Sequence, residues 1–492
     1  MRPIRELRTV AIIALTLPSL GFGLTFEVNS TADGSDVVAG DGVCDTDAAT
    51  GGPQCTLRAA IEEANAHGGD DIIQFRITDS FGGQAGISTI LVSTVLPDLS
   101  TNVAITGPGA DKLALQRIGT VRFRIFNVTT ASSVTISGLT IRDGDARGGG
   151  GSGGAILNAG SASVLVYDCV LRNNAASSGG AIANNGAGVV NVVRCTLTEN
   201  SAVRQGGAVS LGNGAMNFYS STISGNTATS PNGQIGGLGG GFYIVGGNLY
   251  LMACTVSGNS ADREGGGIFS EARLVRLRNT IVATNTAPVG PDLRPHSFGA
   301  QFSSESFNLV GKNETAPTDF PAGNPNANND IVGTSAAPVD PLLDLNGLQD
   351  NGGHTPTIAL LSNSAAIDRG ISSDSANQLT TDQRGTGFAR ARDNLVIVNA
   401  NGGDGTDIGA FEFNGVLRLI SITRDNTHIV VSFQGVEGFS YRLERKLGIT
   451  FEYWEQIQSV SDVTVGPTSE AQISDPGASD YDKAFYRVRL LP

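Results

Sequence analysis

The segment Val190-Asn-Val-Val-Arg-Cys195-Thr-Leu-Thr-Glu-Asn200-Ser-Ala-Val-Arg-Gln-Gly206-Gly207-Ala-Val209 carries every marker of a repeat. It reads apolar-x-apolar, two residues, a small residue, x-apolar, two residues, Asn, and then a Gly-Gly pair followed by an apolar residue. The same frame recurs six times. Its small position is Leu139, Cys169, Cys195, Ser221, Cys254 and Thr280, spaced by 30, 26, 26, 33 and 26 residues. Its closing position is Gly144, Asn174, Asn200, Asn226, Asn259 and Asn285. A period in this range describes stacked coils, none of which buries its apolar side without neighbours.

The apolar columns define the interior. They are Val134, Val164, Val190, Met216, Leu249 and Val275; Ile136, Val166, Val192, Phe218, Leu251 and Leu277; and Ile141, Leu171, Leu197, Ile223, Val256 and Val282. A fourth column, Ile156, Ile182, Val209, Phe242 and Ile268, follows a Gly-Gly pair each time. Alternation within each run is a β period, and the two-residue gaps mark corners. Three short strands per coil, stacked in parallel, predict an all-β fold, a right-handed parallel β-helix. The asparagines are placed to form a ladder, each amide bonding the next coil's turn. Cys169, Cys195 and Cys254 share one column, where parallel Cβ vectors about 4.8 Å apart suit buried free thiols better than disulfides.

Around the repeats (134–299) four further regions are expected. Residues 1–23 read as a secretory leader, with Arg2, Arg5 and Arg8 before the apolar run Thr9–Leu20 and the small-residue site Gly21-Phe22-Gly23. Residues 24–133 carry strands at Ile72–Ile77, Thr89–Val92 and Val103–Thr106 and a helix at Leu57–Ala66 with Thr56 as N-cap. This helix is suited to cover the open first coil. Cys44 and Cys55 flank a Gly- and Asp-rich loop as a candidate disulfide, in keeping with export. Residues 300–414 form another region, and 415–492 read as a small β-sandwich of six strands. That tail is too short for a membrane barrel of its own.

Three stretches resemble known families. The repeat, as Cys195–Asn200 with Gly206-Gly207-Ala208-Val209, resembles chlamydial polymorphic membrane protein repeats, of the pectin-lyase-like β-helix class. Gly40–Cys44 with Cys55-Thr-Leu-Arg-Ala-Ala-Ile61-Glu-Glu-Ala-Asn65 looks like the CSLREA-type domain of secreted bacterial proteins, with Ala59 where that family has Glu. Residues 300–413 are similar to the choice-of-anchor Q domain, through Asn308–Gly311, Asp340–Leu343, Asp350–Thr357, Ala366–Asp368, Thr381–Gly385 and Asp407–Glu412. These resemblances imply export and surface association, without a known reaction.

The net charge is −14, and −16 without the leader. Such a surface repels phosphate backbones, so nucleic acid is not an expected partner, and anionic polymers need bridging cations. No stretch is long and apolar enough for a membrane span. A monomer is expected, with an envelope component or an extracellular polysaccharide or protein as ligand. The outward columns Thr140, Val170, Thr196, Thr222, Thr255, Ile281 and Thr135, Leu165, Asn191, Asn217, Tyr250, Arg276 carry no carboxylate and read as scaffold.

Asp262, Arg263 and Glu264, beside a Gly-Gly corner, are the candidates for a polysaccharide lyase or glycoside hydrolase, against plain surface charge. Asp33, Asp36, Asp41, Asp45 and Asp47 crowd one loop, either as calcium ligands or as a solvated acidic loop that matches no complete EF-hand. Asp368, Asp382, Asp407 and Glu412 with Arg384 are read as satisfying buried backbone and pairing internally. Asp168 and Arg194 are placed to pair across coils. Extra residues around Thr229–Leu238 form a protruding loop, and Trp454 either packs in the sandwich core or stacks on sugar. The reading as a whole is an exported surface or extracellular scaffold for adhesion or envelope interaction, with the polysaccharide enzyme as the alternative.

Overall fold

The computed structural model describes residues 23–492 apart from 53, 78–87, 232–235, 272–273, 297–298, 374–377, 393–396, 414–417, 426–427, 436–439, 447–454, 458–460, 465–469, 477–484 and 491–492. The leader up to Phe22, the tip of the inserted loop and Trp454 therefore lie outside the described residues. Two compact units exist: one runs to Leu360 and includes Ser364–Glu412, and the other comprises Phe413–Pro492 with Leu361–Asn363.

In the first unit the five coils between Ser133 and Ser270 each contain four short strands, not three. The coil quoted above has Val189–Val193 in sheet 1, Thr196–Thr198 in sheet 2, Ser201–Gln205 in sheet 3 and Val209–Leu211 in sheet 4. Across the stack these sheets hold ten, ten, five and seven strands, all parallel. Sheet 3 escaped the pattern because its inward column is Ala146, Ala176, Ala202, Ala228 and Ala261, too small to give an apolar period. Elsewhere the predicted register holds: Val190 pairs with Val164 and Met216, and Leu197 with Leu171 and Ile223. Every residue of the four apolar columns is fully buried.

The corners explain the small, Asn and Gly-Gly columns. Residues just before the small column turn in the left-handed region, as Asp168 (φ 53°), Arg194 (φ 51°) and Ala253 (φ 55°) do. A non-glycine residue there costs about 1–2 kcal/mol. Hydrogen bonds along the columns offset it: Cys169 N donates to Cys195 Sγ at 3.4 Å, Cys195 N to Ser221 Oγ at 3.0 Å, and Cys254 N to Thr280 Oγ1 at 3.3 Å. The three cysteines are free and buried. In the Asn column, Asn174 N and Nδ2 both donate to Asn200 Oδ1 at 3.0 Å, and Asn200 Nδ2 also donates to Leu171 O at 2.9 Å. The pattern repeats through Asn226 and Asn259 to Asn285. At the third corner Gly179 has φ 65°, while a Cβ on Gly180 would lie 2.2 Å from the Gly207 carbonyl oxygen.

Both ends of the pillar are closed. The helix is Leu57–His67, and the Thr56 side chain accepts from Ala59 N at 3.1 Å. Its Leu57, Ala60, Ile61 and Ala64 join the core beside Phe26, Val28 and Ile73. At the other end, Ala316 and Phe320 enter the same core. The Asn ladder stops on Asp292, whose Oδ1 accepts Asn285 N (3.1 Å) and Nδ2 (3.0 Å). The small column likewise passes through Asn308 to Asp330 Oδ1. Cys44 and Cys55 form a disulfide.

Strands Gln301–Ser304, Leu309–Val310 and Ile331–Val332 continue sheets 1 and 2. The chain then returns along the outer face of sheet 2. Thr196 Oγ1 donates to Pro356 O (2.6 Å), Thr222 Oγ1 to Gln383 Oε1 (2.6 Å), and Ala410 N to Thr255 Oγ1 (3.0 Å). The threonine column read as an outward face is thus an interior one, with Thr196, Thr222 and Thr255 at most 2% exposed. At the far end of this strap His354 Nδ1 meets Asp111 Oδ1 at 2.7 Å.

The second unit has two antiparallel sheets. Arg418–Asp425, His428–Gln434 and Glu470–Asp475 form one. In the other, Ser440–Lys446 pairs with Phe485–Leu490 on one side and with Glu455–Gln456 and Val463–Thr464 on the other. Val431, Phe433, Tyr441, Leu443, Ile457 and Ile473 fill the space between them. Asp475 ties the sheets together, accepting from Arg445 Nη1 and Tyr486 Oη, both at 2.9 Å.

Candidate functional site

The acidic loop is organised by its own backbone. Asp33 is drawn away to Arg58 (2.8 Å), an almost buried guanidinium that also donates to Val95 O and Thr94 O. Asp45 accepts from Asp47 N and Gln54 N, and Asp47 from Ala49 N and Thr50 Oγ1. Only Asp36 and Asp41 of the five come together, and their third member is Glu63 of the helix, with ligand atoms all within 4.8 Å. Five of the six oxygens in this group accept a backbone N–H, from Asp45, Val38, Val43, Gly40 and Gly42. Burial, then Asp36, pushes the Glu63 carboxyl up. These three carboxylates are the described residues that could hold a hard cation such as calcium. Glu63 was missed because its helical position reads as solvent-facing, whereas it is fully buried.

Asp262, Arg263 and Glu264 are adjacent in sequence but engaged separately. Asp262 and Arg263 are exposed, and Asp262 Oδ2 accepts Ser230 N at 2.7 Å, holding the base of the inserted loop. Glu264 Oε2 pairs with Arg294 Nε at 2.6 Å. Arg294 comes from the following coil, in register with Phe269. Beside them Tyr243 stacks on Phe269 at 5.6 Å, donates to Glu271 Oε1 (2.5 Å) and accepts from Gln205 Nε2 (3.0 Å). Burial, then Glu271, raises the Tyr243 hydroxyl. A phenol held protonated against a carboxylate suits structure better than nucleophilic chemistry. Tyr243 and Phe269 are in register on neighbouring coils, but Gln205 and Glu271 lie outside that column, so the repeat reading missed the cluster.

The acids of the strap meet in a closed knot. Arg384 donates through Nε (2.9 Å) and Nη2 (2.5 Å) to Asp382 Oδ2, which also accepts Glu412 N at 2.9 Å. The guanidinium lies between the Phe388 and Phe411 rings, at 4.1 and 4.0 Å. Asp407 Oδ1 accepts Asp368 N (2.8 Å), and Glu412 Oε2 accepts Asp407 N (3.2 Å). Arg390, fully buried and absent from the sequence reading, donates Nη2 to Asp407 O and lies 4.0 Å from Glu412. Burial and the Asp407 charge push the Glu412 carboxyl up. The Asp168–Arg194 pair forms as expected, with two contacts of 2.7 Å.

The outer face of sheet 1 differs from the covered face of sheet 2. Thr135, Leu165, Asn191, Asn217 and Arg276 are each partly exposed. Asn217 Nδ2 donates to Asn191 Oδ1 at 3.0 Å, and Arg276 lies 5.3 Å over the Tyr250 ring. Tyr219 meets Tyr250 edge-on at 6.0 Å. This ribbon leaves polar groups partly exposed, while Tyr219 and Tyr250 are buried with Leu379 packed against them. Among the described residues no helix is long and apolar enough to cross a membrane.

Residues 253–271, three of the four strands of one coil, match the family model of the Chlamydia polymorphic membrane protein repeat. No curated protein matches the chain.

Proposed function

We propose that this chain is an exported, surface-displayed β-helix that binds an extracellular polymer through the outer face of sheet 1, without turning it over. The observation that carries the reading is the contrast between two faces. Sheet 2 is closed by the chain's own strap, whereas sheet 1 leaves Leu165, Asn191, Asn217 and Arg276 of one outward column partly exposed. Side chains repeating about every 4.8 Å along one line suit an extended chain with regularly spaced hydroxyls. The acidic surface favours an uncharged polysaccharide over an anionic one. Support for export comes from the Cys44–Cys55 disulfide, a feature of oxidising compartments, and from the repeat match.

The test is retention of the mature protein on a panel of immobilised polysaccharides, with and without calcium, alongside assays for released products. Retention that falls at least about five-fold in Asn217→Ala and Arg276→Ala variants of unchanged melting temperature supports the reading, since hot-spot groups commonly contribute more than about 1 kcal/mol. Product release abolished by Asp262→Asn and Glu264→Gln replaces it with the enzyme.

A further inference from the structure

Leu24 donates its backbone N–H to Asp71 Oδ1 at 2.7 Å, one residue before the first strand, Thr25–Val28. The Asp71 side chain is fully buried, and its other oxygen, Oδ2, has no hydrogen-bond partner. The charged groups around it are His67, whose Nδ1 is 3.7 Å from Oδ1 and whose side chain is one-third exposed, and the neighbouring Asp70. Burial pushes the Asp71 carboxyl up. The Asp33 carboxylate, by contrast, has the Arg58 guanidinium. A lone amide N–H is little compensation for a buried carboxylate. At the same place the backbone is packed so closely that a Cβ on Gly23 would lie 2.0 Å from the Asp70 carbonyl oxygen.

We propose that the chain is cut between Gly23 and Leu24 and that the new α-ammonium of Leu24 forms a buried ion pair with Asp71, locking the first strand onto the stack. The proposal rests on the export reading above, in which residues 1–23 are a leader. A leader peptidase supplies the cut: water adds across the amide, Gly23 departs as a carboxylate, and Leu24 keeps its nitrogen, which takes up a proton at neutral pH. An ammonium has three N–H donors where the amide had one, so it can serve both oxygens of a carboxylate already beside it. Residue 24 is held in place independently, because its carbonyl accepts Ile72 N at 2.8 Å. Export would thereby leave its mark on the fold, since only the processed chain gives Asp71 an ammonium partner beside His67.

Two measurements test this. Intact mass and N-terminal sequencing of protein exported with its own leader should give Leu24 as the first residue. A different start overturns the proposed processing point, and an uncut chain overturns the export reading itself. Chains beginning at Leu24 and at Gly23, each released from a cleavable tag, are then compared in denaturant unfolding. The Leu24 form should show a folded-to-unfolded ratio at least about ten-fold higher, the scale of a charge-assisted bond. Asp71→Asn should erase that difference. N-terminal acetylation of the Leu24 form should erase it too, and serves if the Asp71 variant does not fold. Equal stability of the two forms overturns the lock and leaves export standing.

Discussion

Gln383 and Thr196, 187 positions apart in the chain, share a hydrogen bond of 2.8 Å in a fully buried setting. The same Gln383 amide accepts from Thr222, so one side chain clamps two successive coils from outside. Gln383→Ala would leave the Thr222 hydroxyl and its neighbours short of partners. A loss of about 2–3 kcal/mol is expected, read as a lower midpoint in chemical denaturation, with limited proteolysis cutting first within 340–412.

The Asn ladder depends on side chains that both give and receive. Asn200→Ala removes an acceptor for two donors of Asn174 and a donor to Leu171 O. A cost of about 3 kcal/mol or more is expected. Asn200→Asp should be no better at neutral pH, because its carboxylate would face the Asn226 Oδ1 acceptor. Equilibrium unfolding of both variants checks this.

Two glycines make a matched contrast. Gly180→Ala would push a methyl to 2.2 Å from the Gly207 carbonyl oxygen, whereas an alanine at Gly148 meets nothing within 4 Å. The first should cost about 3 kcal/mol or more through forced separation of coils, and the second less than about 0.5 kcal/mol. Thermal melts of the two proteins decide it.

Asp292 sets a pH dependence. Burial pushes its carboxyl up to about 6, against an ordinary value of about 3.9 in the unfolded chain. A folded value above the unfolded one means that ionisation is harder in the fold. The cost is absent below about pH 4, grows between about 4 and 6, and is full above that, reaching at most about 3 kcal/mol. The coil stack should therefore gain stability on mild acidification. Asp292→Asn should flatten the pH 4–6 part of the curve relative to the wild type, although its amide would face Lys312 N–H and lower the curve overall.

The thiols should be silent in the native protein. Burial raises the Cys195 thiol, and pushes that of Cys254 up to about 12. Alkylation at pH 8 followed by mass spectrometry should add three adducts only after unfolding, with Cys44 and Cys55 unmodified unless reduced.

What could be read from the sequence was whatever repeats locally. Val190, Leu197 and Asn200 declare their roles because equivalent residues recur at fixed spacing, and the Cys44–Cys55 bridge was legible from two cysteines around a turn-rich loop. The sheet of small alanines around Ala202 was not, since Ala gives no hydrophobic period. Nor was the fate of Thr196: a threonine on the outer side of a strand looks the same whether water or Gln383 lies over it. Glu63 and Arg390 were hidden for a related reason. Their burial is imposed by segments distant in the chain, and a charged residue carries no local sign of being interior.

The aspartates that close the two columns have a bearing on how this chain could lengthen. An ionised carboxylate takes up N–H groups and has none to hand onward, so Asp292 and Asp330 are stops in a polymer of otherwise interchangeable links. Duplicated coils can be spliced in between Asn174 and Asn285, where each amide greets another. Placed beyond Asp292, a new coil would find a terminus that cannot be extended, so growth of the rod is confined to its middle.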